Sequence, residues 1–173
     1  MTFKVICSIL IVSCSSLLGY IFSNTYVERT KLLHSLLGTL QMLETEIVYG
    51  STPIPILLDK IGKKSRKEIG NIFFAALSLL KEKEGQTFEE VWIRAVNNEI
   101  ANTPFSREDA EIILSLGKNL GISNCEDQIK HIRLIQEEVK RNYEISIIEQ
   151  SKNVKLYKNM GFLLGISIVI ILY

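Results

Sequence analysis

Apolar residues in this chain fall into three regimes: an uncharged run near each end, and a long middle in which they recur every three or four positions. Val5 to Phe22 contains no Asp, Glu, Lys or Arg. As a helix this run measures about 27 Å, close to the roughly 30 Å hydrocarbon interior of a bilayer. It predicts an N-terminal transmembrane helix over residues 1–22. Gly19, Ser13, Ser15 and Ser16 suit that setting, because small residues admit a neighbouring helix and Ser bonds back to its own backbone. Tyr20, Phe22 and Tyr26 fit the membrane interface, where an aromatic ring has one apolar and one wet edge. Residues 160–173 form the second run, only about 21 Å long as a helix and short for a span. Leu156 and Tyr157 extend it while Lys155 and Lys158 can reach outward to water. A short C-terminal transmembrane segment is therefore expected in preference to a buried core helix.

Residues 23–159 show no stretch of alternation long enough for a strand, whereas the helical period recurs throughout. The expected fold class is all-α, a bundle of about six helices between two membrane helices. Leu33, Leu36, Leu37, Leu40 and Ile47 line one face of a helix that continues from the first span to Tyr49, with Gly50 as a stop. Thr52 and Pro53 restart a short helix carrying Ile54, Leu57, Leu58 and Ile61, with Pro in the first turn where its missing N–H is harmless. A helix over residues 65–83 carries Ile69, Ile72, Phe73, Ala76, Leu77 and Leu80 on one stripe and ends before Gly85. Thr87 with Glu90 forms a capping box ahead of Phe88, Val91, Trp92, Ala95 and Val96. Ser106 with Asp109 is a similar start for a helix expected to bury Ala110, Ile113 and Leu114. Asn124 caps a last helix with Ile129, Ile132, Ile135, Val139, Tyr143 and Ile147 inside. No Pro or Gly interrupts it before Gly161, so it should run into the second membrane segment. Glu126 with Lys130 and Glu137 with Arg141 are spaced to support its exposed face. The Gly-x-Thr starts at Gly50 and Gly85 read either as the ordinary way helices begin or as a paired helix-hairpin construction.

Charge then sets orientation. Arg29 and Lys31 follow the first run and Lys152, Lys155 and Lys158 precede the second; cationic flanks tend to stay cytoplasmic, which puts the bundle in the cytoplasm. Twenty Lys and Arg against 19 Asp and Glu give a net charge of +1, no global field for a polyanion, so nucleic acid is not an expected partner. Three scattered Cys make no disulfide framework. Ile11-Val12-Ser13-Cys14 matches a bacterial lipoprotein signal, so the alternative is a lipid-anchored extracytoplasmic binding or signalling module. That would leave a very apolar segment at the start of the mature chain.

Catalytic chemistry needs convergent polar groups, and few are present. His34 and His131 lie on different predicted helices without neighbouring Cys or His, so metal-ligand spacing is missing. His131, four residues after Asp127, reads as half of a surface helix pair. Gly62-Lys63-Lys64-Ser65 fails as a phosphate loop, since Leu57 stands at the first glycine position and no strand precedes it. Cys125 stands near a helix start without a base or resolving thiol nearby. No catalytic residue, cofactor, metal or small-molecule substrate is therefore expected. The candidate residues are for contact with partners or membrane: Lys60, Lys63, Lys64, Arg66 and Lys67, tempered by Asp59 and Glu68; Glu44 and Glu46 ahead of Tyr49; and Asp127 with Gln128. The basic group suits anionic headgroups or an acidic partner.

Membrane segment, long helix, bundle, long helix and membrane segment, in that order, resemble the stage III sporulation protein AB family of endospore-forming bacteria. The resemblance covers essentially the whole chain. It rests on Leu43-Glu44-Thr45-Glu46-Ile47-Val48-Tyr49-Gly50, Leu116-Gly117-Lys118-Asn119-Leu120-Gly121, Cys125-Glu126-Asp127-Gln128-Ile129-Lys130-His131-Ile132, Lys155-Leu156-Tyr157 and Leu172-Tyr173. Asn124 and Cys125 depart from an acidic residue expected after Ser123. The family in turn is similar to the cytoplasmic F domain of inner-membrane platform proteins of type II secretion and type IV pilus machines, whose glycine-led helix starts Gly50 and Gly85 match. The resemblance implies a non-enzymatic platform in the mother-cell membrane facing the forespore. It also implies docking of a stage III sporulation AA-type ATPase and association with other channel membrane proteins, with a second copy of the chain as a further candidate partner.

Overall fold

The computed structural model describes residues 2–49, 52–82, 85–118, 120–121 and 124–172. Among these the fold is all-α without a strand: α1 (Thr2–Tyr49), α2 (Ile54–Lys64), α3 (Lys67–Glu82), α4 (Phe88–Ile100), α5 (Arg107–Ser115), a 3₁₀ turn at Leu116–Lys118, and α6 (Cys125–Leu172). The chain divides into two compact units, residues 1–30 with 145–173, and residues 31–144.

The bundle unit closes around the stripes the sequence displays. Leu33, Leu36 and Leu40 of α1, Leu58 and Ile61 of α2, Ile69, Ile72 and Phe73 of α3, and Ile132, Ile135 and Val139 of α6 are all buried. Trp92 is the keystone of α4. Its indole N–H donates to the Ile113 carbonyl at 2.8 Å, and its ring meets Phe73 edge-on and stacks with Phe88 at centroid distances of 5.2 and 5.9 Å. The 3₁₀ turn crosses so close to that ring that a Cβ on Gly117 would lie 2.6 Å from it, which only glycine permits. The packed centre leaves about 10 Å³ of free space, at the lower limit for one water.

Both capping boxes form: Thr87 Oγ1 accepts from Glu90 N–H while Glu90 accepts from Thr87 N–H, and Ser106 and Asp109 do the same. Asn124 Oδ1 accepts from Asp127 N–H at 2.8 Å. Four local expectations change. α3 starts at Lys67, because Ser65 closes α2, its N–H and hydroxyl both donating to the Ile61 carbonyl. The cap of α2 is Pro53, with no side-chain bond from Thr52; Gly50 lies outside the described residues. α5 buries Ile112 and Ile113, with Leu116 of the turn, while Ala110 and Leu114 are only half-buried. On α6 the inward stripe continues through Asn142 and Ser146, leaving Ile147 exposed and neither predicted α6 charge pair closed among the described residues.

The second unit is an antiparallel pair made of the first part of α1 and the last part of α6. Its spacing is set by small residues four apart on each helix. A Cβ on Gly19 would lie 2.6 Å from the Tyr157 carbonyl oxygen and 3.0 Å from the Gly161 Cα; one on Gly161 would lie 2.7 Å from the Ser15 carbonyl oxygen. Gly165 abuts Ser15 Oγ. The backbones therefore touch, as in lipid-embedded pairs where close packing replaces the hydrophobic drive. Beyond the glycines, Tyr157 stacks with Phe22 and Tyr26, Arg29 pairs with Glu149 at 2.6 Å, and Thr30 Oγ1 donates to the Ser146 carbonyl at 3.2 Å. Both helices are long and apolar enough to cross a membrane, and only 6% and 11% of their most apolar windows is buried. A soluble core helix would bury most of such a stretch. Exposed Ile, Leu and Val at these densities are far beyond the apolar patches that water-soluble monomers carry.

Candidate functional site

One end of the bundle, where α1 stops and α6 starts, gathers several of the candidate residues. Tyr49 ends α1 with 87% of its surface exposed, and Val48 and Ile56 are exposed beside it in sequence and at the start of α2. At the same end lies a cleft of about 220 Å³ lined by Ile47, Thr52, Ile54, Leu57, Leu120, Gly121, Cys125 and Gln128. The Cys125 thiol donates to the Ile47 carbonyl at 3.4 Å, and Asp127 is exposed on the first turn of α6. Tyr49, Asp127 and Gln128 thus share one end.

Glu44 and Glu46 are directed elsewhere. Glu44 accepts from Arg133 Nε at 2.7 Å and from Gln136 Nε2 at 3.0 Å, clamping α1 to α6. The Arg133 hydrogen bond, with that of Gln136, holds the Glu44 carboxyl below the usual glutamate range against the opposing effect of burial. Glu46 pairs with Lys60 of α2 at 2.6 Å. Both carboxylates hold helices together inside the bundle.

The basic group is likewise partly self-neutralised. Lys60 belongs to Glu46, Lys63 pairs with Asp59 at 2.7 Å and Arg66 with Glu68 at 3.0 Å. Lys64 and Lys67 are exposed and make no ion pair among the described residues. The α2–α3 junction that carries them is tied to the middle of α1 by the 3.0 Å hydroxyl contact of Thr39 and Ser65. Ten residues of helix, about 15 Å, separate Thr39 from Tyr49. The basic and Tyr49 groups are therefore two surfaces.

The sequence reading missed a polar connection. Asp109 is 1% exposed, and besides its capping role it accepts from Asn142 Nδ2 at 2.8 Å. The Ser-x-x-Asp spacing announces the cap; nothing local announces a partner 33 residues away. His131 hydrogen-bonds the Ser115 carbonyl at 2.9 Å, so it ties α6 to α5 instead of facing Asp127. No group of three His, Cys, Asp or Glu among the described residues could hold a metal ion.

The sequence model of the stage III sporulation protein AB family matches residues 4–173. The chain belongs to this family. It is 27% identical over 169 residues to the stage III sporulation protein AB of Bacillus subtilis (strain 168), covering 98% of each chain. A solved structure of stage III sporulation protein AB superposes with a TM-score of 0.66 at 24% identity, covering 72% of this chain and 98% of that one, and shows the same fold. Family membership gives the protein its role in sporulation, and the two long apolar helices associate it with a membrane.

Proposed function

We propose that the protein is a non-enzymatic platform of the mother-cell to forespore channel complex, with residues 1–22 and 160–173 in the mother-cell membrane facing the forespore and residues 23–159 in the cytoplasm. There the bundle docks a stage III sporulation AA-type ATPase and associates with other membrane proteins of the channel. The observation that carries this reading is the exposed apolar end around Tyr49, Val48 and Ile56 with its cleft, on a chain anchored by two apolar helices. Apolar, aromatic-bearing surface next to a cleft is what a partner side chain can anchor in. A packed core without a ligand-sized void leaves the outer surface as the working part. Hydrolytic chemistry belongs to the partner.

The test is direct binding of the full-length protein, in detergent or nanodiscs, to the purified ATPase. Tyr49→Ala and Ile56→Asp should each weaken binding at least about tenfold, as central aromatic and apolar anchors do. Lys64→Gln with Lys67→Gln should leave it within about twofold. Undiminished binding by both tip variants would remove the proposed docking surface.

A further inference from the structure

Within residues 31–144 the α-helices form a closed ring of neighbours. α1 meets α2 through Glu46 and Lys60; α2 packs on α3, α3 on α4 and α4 on α5. Asn142 of α6 bonds Asp109 of α5, and Arg133 of α6 returns the ring to Glu44 of α1. In such a ring the α2–α3 corner and the α5–α6 corner lie on opposite sides. They also lie at one height. His34 of α1 faces Tyr143 of α6 with ring centroids 5.4 Å apart, and Glu44 bonds Arg133. Midway between these two crossings stand Thr39 on α1 and Glu138 on α6. Thr39 bonds Ser65 in the α2–α3 corner, and Glu138 lines a cleft between α5 and α6.

The two corners carry opposite charge. Residues 54–82 hold six Lys and Arg against three Asp and Glu, whereas residues 107–115 with 125–144 hold five against eight. Lys64 and Lys67 are exposed in the first corner without an ion pair among the described residues. Beside them Phe74 lies over Gly62, whose added Cβ would come within 2.9 Å of the ring, and Phe74 stays 38% exposed. The opposite cleft, of about 300 Å³, is lined by Glu108, Glu111 and Glu138 with Arg141, and by the buried Ile112 and Asn142. Arg107 engages Glu111 at 3.1 Å, while Glu108 and Glu138 make no ion pair among the described residues.

We propose that the protein assembles side by side with further copies of itself, the α2–α3 corner of one chain seated in the α5–α6 cleft of the next. Lys64 and Lys67 then lie against Glu108 and Glu138, and Phe74 faces Ile112. Different surfaces on opposite sides make the contact heterologous, so it propagates in one direction and closes into a ring where the rotation allows. Matching height suits copies held alike in one bilayer, which turn and shift only in its plane. The proposal takes that membrane setting, and nothing else, from the proposed function. Charges placed in this way select and orient the neighbour, with the aromatic contact adding affinity.

The test uses the full-length protein in liposomes with no other protein present, Cys7, Cys14 and Cys125 being replaced by Ser. Asn71→Cys, on α3 between Lys67 and Phe74, is made in one population and Ser115→Cys, in the cleft lining, in another. A short bismaleimide should join the mixed populations, and either population alone should give at most about a tenth of that yield. Lys64→Glu with Lys67→Glu in both populations should lower the yield about tenfold, as should Glu108→Lys with Glu138→Lys. All four reversals together should bring it back to within about twofold, a recovery that misfolding would not allow. Equal yields from mixed and single populations overturn the head-to-tail contact. An absent product overturns self-association and leaves the cleft to a basic segment of another protein. Failure of the fourfold reversal to recover overturns the charge match. Failure of ATPase docking at Tyr49 leaves these readouts untouched, while recovery of the chain in water without detergent or lipid would defeat the membrane setting itself.

Discussion

Asp109 shows how a single buried carboxylate can organise several elements. One oxygen accepts from the Ser106 N–H and the other from Asn142, both at 2.8 Å. Asp109→Ala removes the cap of α5 and strands the Asn142 amide in the core; it should lower stability by about 2–4 kcal/mol, read by denaturant unfolding in mild detergent with the single tryptophan, Trp92, as fluorophore. Asp109→Asn should also destabilise, because one of its two acceptors becomes a donor facing a donor. Glu44 makes a prediction in pH. Its carboxyl titrates below the ordinary value near 4.5, so the clamp on Arg133 and Gln136 contributes fully above that value and is lost as pH falls through the lowered one. The stability gap between wild type and Glu44→Gln should therefore be widest near neutrality and close in acid. A gap independent of pH would show that the clamp is not ionic. Hydrophobic periodicity could reveal neither residue's partner, since it records where apolar groups recur and is blind to which polar groups are buried among them.

At the scale of elements, the helices were readable because their stripes and caps agree. Ile69, Ile72, Phe73 and Ala76 are inside where the period put them, and Thr87 and Ser106 cap where their spacing put them. The boundary at Ser65 escaped because Ser65 turns its N–H and hydroxyl back onto the Ile61 carbonyl and closes α2 there, which an apolar stripe does not register. Asn142 and Ser146 escaped because polar residues took the inward positions of α6. The close approach of α1 and α6 is likewise a property of two helices together. Gly19 alone suggests a small contact, and only opposite Gly161 does it set a distance. Gly161→Leu should push the pair apart. In a background with the native cysteines replaced by Ser, cysteines at positions 22 and 157, whose native side chains stack across the pair, should be bridged by a short bismaleimide, and Gly161→Leu should cut the yield several-fold. An unchanged yield would mean the glycines do not set the spacing.

For the molecule as a whole, charge-free runs and helical period made two long apolar helices and an all-α middle legible, whereas the two compact units, residues 1–30 with 145–173 and residues 31–144, have bounds that neither pattern marks. The pairing of the surface charges was only partly legible. Five clustered cations suggested one basic face, but three of them are matched by Glu46, Asp59 and Glu68. The two acidic candidates at Glu44 and Glu46 hold neighbouring helices. Sequence shows which charges are near one another along the chain, whereas pairing depends on how helices are laid together. Cys125 is exposed in the bundle, and the other two thiols, Cys7 and Cys14, lie in the apolar run of α1. With Cys7 and Cys14 replaced, a membrane-impermeant maleimide should leave Cys125 unmodified in intact mother cells and modify it after permeabilisation. Labelling before permeabilisation would put the bundle outside.

The glycines at the crossing of α1 and α6 face each other, and what they leave for the surroundings is a coat of branched and aromatic side chains such as Ile9, Leu18, Phe22, Phe162 and Leu164. A neighbour approaching that coat meets mostly hydrocarbon, broken by the exposed small residues Ser13, Cys14 and Ser167. Lateral encounters along this coat should then be slippery and exchangeable, because a mostly hydrocarbon face offers little to tell one apolar helix from another.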